Sequence, residues 1–124
     1  MHKSNLKTPL GEGLRHWFEI LIISVVLTCP CVSTLAATRY VPSQYLTIQA
    51  AINNCNNGDT VIVSPGTYYE NINLNGKNIT LRSTDPVNSN TVKNTTIDST
   101  VSFRGTEDPN CTLTGFNING TIIG

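Results

Sequence analysis

The sequence is short of charge. Only 13% of its residues are Asp, Glu, Lys or Arg, and its 8 basic and 8 acidic groups cancel. Binding to nucleic acid or to an anionic membrane surface needs Lys and Arg clustered and in excess, so neither partner is expected. Histidine is nearly absent: His2 and His16 are the only two. Aromatic residues make up 6% of the chain, and the longest apolar stretch, Ile20 to Leu27, is interrupted by Ser24. That stretch falls well short of the ~20 apolar residues that span a bilayer. What is plentiful is small and polar. Asn occurs 15 times and Thr 17 times in 124 residues, a bias toward turns and strands that argues against a helical bundle. The length allows one domain at most.

The first residues have the layout of a secretory signal. Lys3, Lys7, Arg15 and His16 stand before the apolar stretch, and Ser33, Thr34, Leu35, Ala36 and Ala37 follow it. A basic start, a short apolar centre and small residues before the cut are what a signal peptidase requires. Cleavage is expected after Ala36 or Ala37, making residues 1–36 the signal peptide and the protein secreted or displayed at the cell surface. An uncleaved anchor is the alternative, because Glu19 and Pro30 interrupt the segment. A lipid on Cys29 is disfavoured by Thr28 before it. The membrane is expected as a partner only through this segment. Without residues 1–36 the chain has Arg39, Lys77, Arg82, Lys93 and Arg104 against Asp59, Glu70, Asp85, Asp98, Glu107 and Asp108, a net charge of −1. Both histidines leave with the signal, and with them the usual general base and transition-metal ligand.

Residues 37–46, with Pro42, read as a linker. Ile48, Ala51, Ile52 and Cys55 then recur at helical spacing, with Thr47 as N-cap and Asn56-Asn57-Gly58 as exit, which predicts a helix over about 47–55. A helix this short is not stable alone and must lie on an apolar neighbour. Strands are expected at Thr60–Val63, Asn71–Leu74 and Asn78–Leu81, each bounded by turn residues. Residues 83–94 read as a loop. A second set follows at Thr95–Asp98, Val101–Phe103 and Thr112–Ile118. Aligning Thr60–Val63 with Thr95–Asp98, Asn71–Leu74 with Val101–Phe103, and Asn78–Leu81 with Thr112–Phe116 gives a repeat of about 30–35 residues. Three strands per repeat with small polar corners is the pattern of a β-solenoid, in which each coil covers the apolar row of the one before. The helix then caps the first coil. About two coils are expected over residues 47–124, below the three or more that solenoids generally need. The chain is therefore expected to be a truncated piece of a longer protein, or else an N-terminal module completed by association, with an uncapped last coil open to self-association.

The stretch Leu46-Thr47-Ile48-Gln49-Ala50-Ala51-Ile52, with Gly58-Asp59-Thr60-Val61-Ile62-Val63, Pro65-Gly66-Thr67-Tyr68-Tyr69-Glu70 and Ile79-Thr80-Leu81-Arg82-Ser83, resembles the start of right-handed parallel β-helix proteins of the pectin-lyase-like group. Leu113-Thr114-Gly115-Phe116-Asn117-Ile118-Asn119-Gly120 looks like their repeat unit, and the resemblance spans about residues 45–120. It implies an all-β right-handed parallel β-helix with a short N-terminal capping helix. It says little of activity, because the group includes lyases, hydrolases, esterases and adhesins. Gly66, Tyr68 and Glu70 match the first signature of pectin methylesterases, but the later signatures, which carry two catalytic Asp, an Arg and a Gln, have no counterpart.

No catalytic, cofactor-binding or metal-binding residue is assigned on this reading. Glu70 reads as a polar corner residue. Ca²⁺ needs six to eight oxygen ligands, whereas the acids here are scattered; the one adjacent pair, Glu107-Asp108, reads as a loop charge. Asp98 is expected to meet Arg104 or Arg82 in an exposed ion pair. Cys55 and Cys111 are either bonded to each other or small buried residues. Asn78, Asn94, Asn110 and Asn119 satisfy the glycosylation pattern but are expected to hydrogen-bond at coil corners. Of Tyr68 and Tyr69, one should pack inward. The expected function is that of an exported, non-catalytic β-helix protein whose parent contacts polysaccharide or cell-surface components. The alternative is the N-terminal part of a polysaccharide lyase or esterase.

Overall fold

The computed structural model of the protein describes residues 35–104 and 110–124. The expected signal, up to Thr34, and the Glu107-Asp108 pair lie outside them. The described chain is mostly strand: β1 Thr38–Val41, β2 Thr60–Val63, β3 Gly66–Tyr68, β4 Ile72–Asn73, β5 Thr80–Ser83, β6 Thr95–Ile97, β7 Val101–Ser102, β8 Thr112–Thr114, β9 Asn117–Ile118 and β10 Ile122–Ile123. Two short helices accompany them, α1 Ile48–Asn53 and α2 Ser89–Asn94. Every strand pairing is parallel, in three sheets of order β1-β2-β5-β8, β3-β6-β9 and β4-β7-β10. After β1 the chain visits the three sheets in the same order three times, each round stacked on the last.

The all-β expectation and two of the three alignments are present: Ile72–Asn73 pairs with Val101–Ser102, and Thr80–Arg82 with Thr112–Thr114. The third is corrected. Thr60–Val63 lies in register with Thr80–Ser83, not with Thr95–Asp98. The physical reason is β3, which Pro65-Gly66 disguises as part of a turn and which carries only one large side chain, Tyr68. With β3 supplying the second strand of the first round, Thr80–Ser83 opens the second round instead of closing the first. Three rounds result where about two were expected. The linker is corrected as well, since Thr38–Val41 pairs with Thr60–Val63 and places Val41 in the core. Part of the expected loop is α2, started by Asn88, whose Oδ1 accepts from the N–H of Asn90 at 2.9 Å and of Thr91 at 3.3 Å.

Strand alternation decides what is inside. In β2 and β5 the buried residues are Val61, Val63, Leu81 and Ser83, while Thr60, Ile62, Thr80 and Arg82 face outward. Ile72 and Val101 are buried from the third sheet and Ile97 from the second, with Leu74 and Ile79 filling the corners. Each such aliphatic side chain contributes about 1.5–3 kcal/mol by leaving water. Val61, Leu81 and Leu113 form one inward column along the rounds. Val63 and Ser83 begin another, and its side chains shrink toward Gly115, which follows β8. Gly115 has φ +80°, and a Cβ there would lie 2.3 Å from Ser83 Oγ and 2.7 Å from Pro86 Cα. The corner that receives Pro86 thus has no room for a side chain.

Gly115→Ala is therefore expected to lower stability by about 1–3 kcal/mol through overpacking and left-handed strain. In urea unfolding this would appear as a reduced midpoint at unchanged slope; an unaltered midpoint would show that the corner can open.

Candidate functional site

Glu70, the last residue of the Gly66, Tyr68 and Glu70 pattern, reaches the helix α1. Its two carboxylate oxygens accept from the Ile48 and Gln49 N–H groups, both at 2.9 Å. These are donors that the first turn leaves without a helical partner, and a carboxylate there also meets the positive end of the helix dipole. Thr47 Oγ1 takes the Ala50 N–H at 3.1 Å, as expected of an N-cap. At the other end, Lys77 Nζ donates to the carbonyls of Ile52 at 2.8 Å and Asn53 at 2.9 Å. Between the ends, Gln49 Oε1 accepts from Asn73 N at 2.7 Å and Gln49 Nε2 donates to Asn73 O at 3.0 Å. Ile48, Ala51 and Ile52 face inward and are fully buried. The helix is a lid, bonded at both ends and along one side to the first round.

The Gly66, Tyr68 and Glu70 pattern is accordingly occupied with structure. Tyr68, in register with Ile97, is half-buried and its hydroxyl donates to Ser64 O at 2.9 Å. Burial, with the charge of Glu70, holds its phenol pKa above the usual value. Tyr69 is the outward one, 79% exposed.

A second carboxylate, Asp59, secures the start of the fold. It is buried and accepts the Ala37 N–H on Oδ1 and the Asn56 N–H on Oδ2, both at 2.8 Å, while the Arg39 guanidinium also reaches Oδ2. Burial opposes its charge, but the N–H groups of Asn56 and Ala37 and the Arg39 cation outweigh it, so its pKa lies below the ordinary carboxylate value. The neighbouring Cys55 thiol is pushed up by burial, which favours the protonated, inert form.

The remaining sequence candidates are dispersed. Asp98 Oδ1 accepts from Asn119 Nδ2 at 3.2 Å, a bond between rounds, and Arg82, one of its two expected partners, turns instead to the Ser83 and Thr84 carbonyls. Cys55 and Cys111 form no disulfide. Of the Asn residues expected at corners, Asn119 bonds through its side chain to Asp98 and Asn78 through its main-chain N–H, which donates to Asn57 Oδ1 at 3.0 Å; Asn71, not among those expected, accepts from Ser99 Oγ on its Oδ1 at 2.6 Å. Among the described residues, no three His, Cys, Asp or Glu side chains converge as metal ligands, and no helix is long and apolar enough to cross a membrane.

One surface carries a row of uncommitted hydroxyls. The outer face of β1-β2-β5-β8 aligns Thr38, Thr60, Thr80 and Thr112 in one row and Tyr40, Ile62, Arg82 and Thr114 in the next. Among the described residues, none of the four hydroxyls in the first row is engaged by a protein partner. Sequence reading missed this row because it needed the correct register, and it missed Gln49, Lys77 and the Arg39–Asp59 pair because their partners lie about twenty residues away. No family model, no curated protein and no solved structure matches the chain.

Two outcomes are expected. Glu70→Ala should cost about 1–2 kcal/mol in urea unfolding, as loss of a helix-start acceptor does; a cost near zero would mean the lid is held without it. Asp59, with its folded pKa depressed, contributes stability that is complete above its unfolded value of about 3.9 and is lost as pH falls through the folded value. An acid titration of thermal stability should therefore have a shallower acid limb in Asp59→Asn than in the parent.

Proposed function

We propose that the protein is an exported right-handed parallel β-helix that contacts carbohydrate or another cell-surface component through the outer face of its four-stranded sheet, without turnover. Three parallel sheets visited in fixed order support the β-helix reading, and the strong preference of parallel crossovers for one hand supports the right-handed form. The resemblance to pectin-lyase-like proteins agrees with both. The layout of residues 1–36 supports export.

The observation that carries the binding role is the uncommitted row of Thr38, Thr60, Thr80 and Thr112. Successive rounds set these hydroxyls about 4.8 Å apart, a flat array of groups that both donate and accept. Tyr40 lies half-exposed beside it, and an aromatic ring next to ordered hydroxyls suits the mixed apolar and polar faces of a sugar chain. The scarcity of charge on this face favours neutral polymers. The absence of turnover is supported by the commitments of Glu70 and Asp59, each bound to main-chain N–H groups.

The test is binding to a panel of soluble and insoluble polysaccharides with the Thr60→Val, Thr80→Val double variant, which keeps β-branched shape and removes two hydroxyls. Binding should weaken about tenfold, equivalent to ~1.4 kcal/mol, and neither reducing ends nor methanol should be released from pectin or pectate. Undiminished binding by the variant would remove the face from the proposal, and clear turnover would remove its non-catalytic part.

A further inference from the structure

The main-chain nitrogen of Ala37 sits where the described fold begins, and its partner is unusual for such a place. It donates to Oδ1 of Asp59 at 2.8 Å, a side chain only 3% exposed. On the other side of the same residue, Ala37 O accepts from Thr60 N at 2.9 Å. Residue 37 is thus held on both sides of its α carbon. The residues before it are not: Leu35 is 89% exposed, Ala36 is exposed, and neither lies in a strand. The bond between Ala36 and Ala37 is therefore open to solvent on one side and joined to a fixed nitrogen on the other. The residues before this bond also fit a leader peptidase. Ala36 and Thr34 occupy the first and third positions before it, whereas a cut one residue later would put Leu35 at the third position, where a small residue is required.

We propose that the Ala36–Ala37 bond is the processing site, and that the α-ammonium group released at Ala37 takes the place of the peptide N–H on Asp59 as an ion pair that locks β1. This rests on the reading of residues 1–36 as an export segment. The step is a hydrolysis by an endopeptidase of the signal-peptidase class. The C–N bond breaks, water gives its hydroxyl to the Ala36 carbonyl carbon and its proton to the Ala37 nitrogen, and the amine takes a further proton from solvent. A neutral donor becomes a cation with three donors, beside a carboxylate largely shut off from water, and such charge-assisted bonds are about twice as strong as neutral ones. Asp59 then holds one cation on each oxygen, Arg39 on Oδ2 and the ammonium group on Oδ1.

The other titratable groups facing this place are Cys55 after α1, Tyr45 and Lys77. Lys77 is turned toward the Ile52 and Asn53 carbonyls. Arg39 and Lys77 repel a further cation, but Asp59 is the group in direct contact, so the α-amino pKa is displaced upward from its ordinary value of about 7.7–8.0. A raised pKa in the folded state gives stability that is complete below the unfolded value and is lost as pH rises through the folded one.

The full chain is expressed in an exporting bacterial host, and the exported product is compared with unprocessed chain made without export. N-terminal sequencing should find Ala37 first. The α-amino pKa, followed by the pH dependence of its acylation, should be raised, and the urea midpoint of the mature protein should fall between about pH 8 and pH 10 while that of the unprocessed chain does not. The Lys, Tyr and Cys groups of residues 37–124 titrate in both forms, and the Asp59 variant separates the new amine from the groups that leave with residues 1–36. Asp59→Asn, where it folds, should remove the difference. A mature chain starting at another residue overturns the processing site. A chain starting at Ala37 with an ordinary α-amino pKa overturns the ion pair, and both of these results leave export intact. A chain that stays inside the cell unprocessed overturns the export reading together with this proposal.

Discussion

A chain wound as stacked parallel rounds has an interior that meets water at its first round, and this protein closes that opening with six residues of helix. Everything near the beginning of the fold follows from the weakness of so short a cover. Six residues cannot sustain a helix by propensity, and the apolar face of Ile48, Ala51 and Ile52 needs a fixed position over Val61 and Ile72 to do its work. The position is supplied by charge. Glu70 binds the donors at the start of the helix, and Lys77 binds the acceptors at its end. Each charge has the sign that the local end of the dipole favours, and both arise from the round being covered.

The same economy explains the commitments of Asp59 and Glu70. Asp59 and Glu70 could look like catalytic carboxylates in a sequence, since both stand beside aromatic or glycine residues. In the structure each accepts hydrogen bonds from two main-chain N–H groups. Asp98 is tied to Asn119 across rounds. Polar corner groups bond along the stack, while the row from Thr38 to Thr112 does not, and this contrast separates the surface that maintains the fold from the surface available to something else.

Much of the architecture was legible in the residues. Alternation over Thr60–Val63 and the helical spacing of Ile48, Ala51 and Ile52 mark local elements whose burial depends on period alone. That one of Tyr68 and Tyr69 packs inward was legible too, though not which; Tyr68 is the half-buried one. What escaped was register. A three-residue strand containing Gly66 has almost no periodic signal, and omitting it mispaired Thr60–Val63 and moved the boundaries of the rounds, while the pairings of Ile72–Asn73 and Thr80–Arg82 stayed as aligned. Thr38–Val41 escaped for a related reason: next to Pro42 and with only Val41 buried in the core, it reads as linker until its partner strand is known. The lid contacts could not be read locally at all, because Gln49 with Asn73 and Ile52 with Lys77 are joined only by the winding.

The long reach of those lid contacts sets an order of assembly. Glu70 and Lys77 must both be present before the helix can be secured, so nothing at the beginning of the fold is finished until the first turn of the winding has been made. A chain delivered from its N-terminus, whether from a ribosome or through a translocation pore, completes this unit early. Each later turn then arrives at a surface already shaped to receive it, and growth runs in one direction from a closed base.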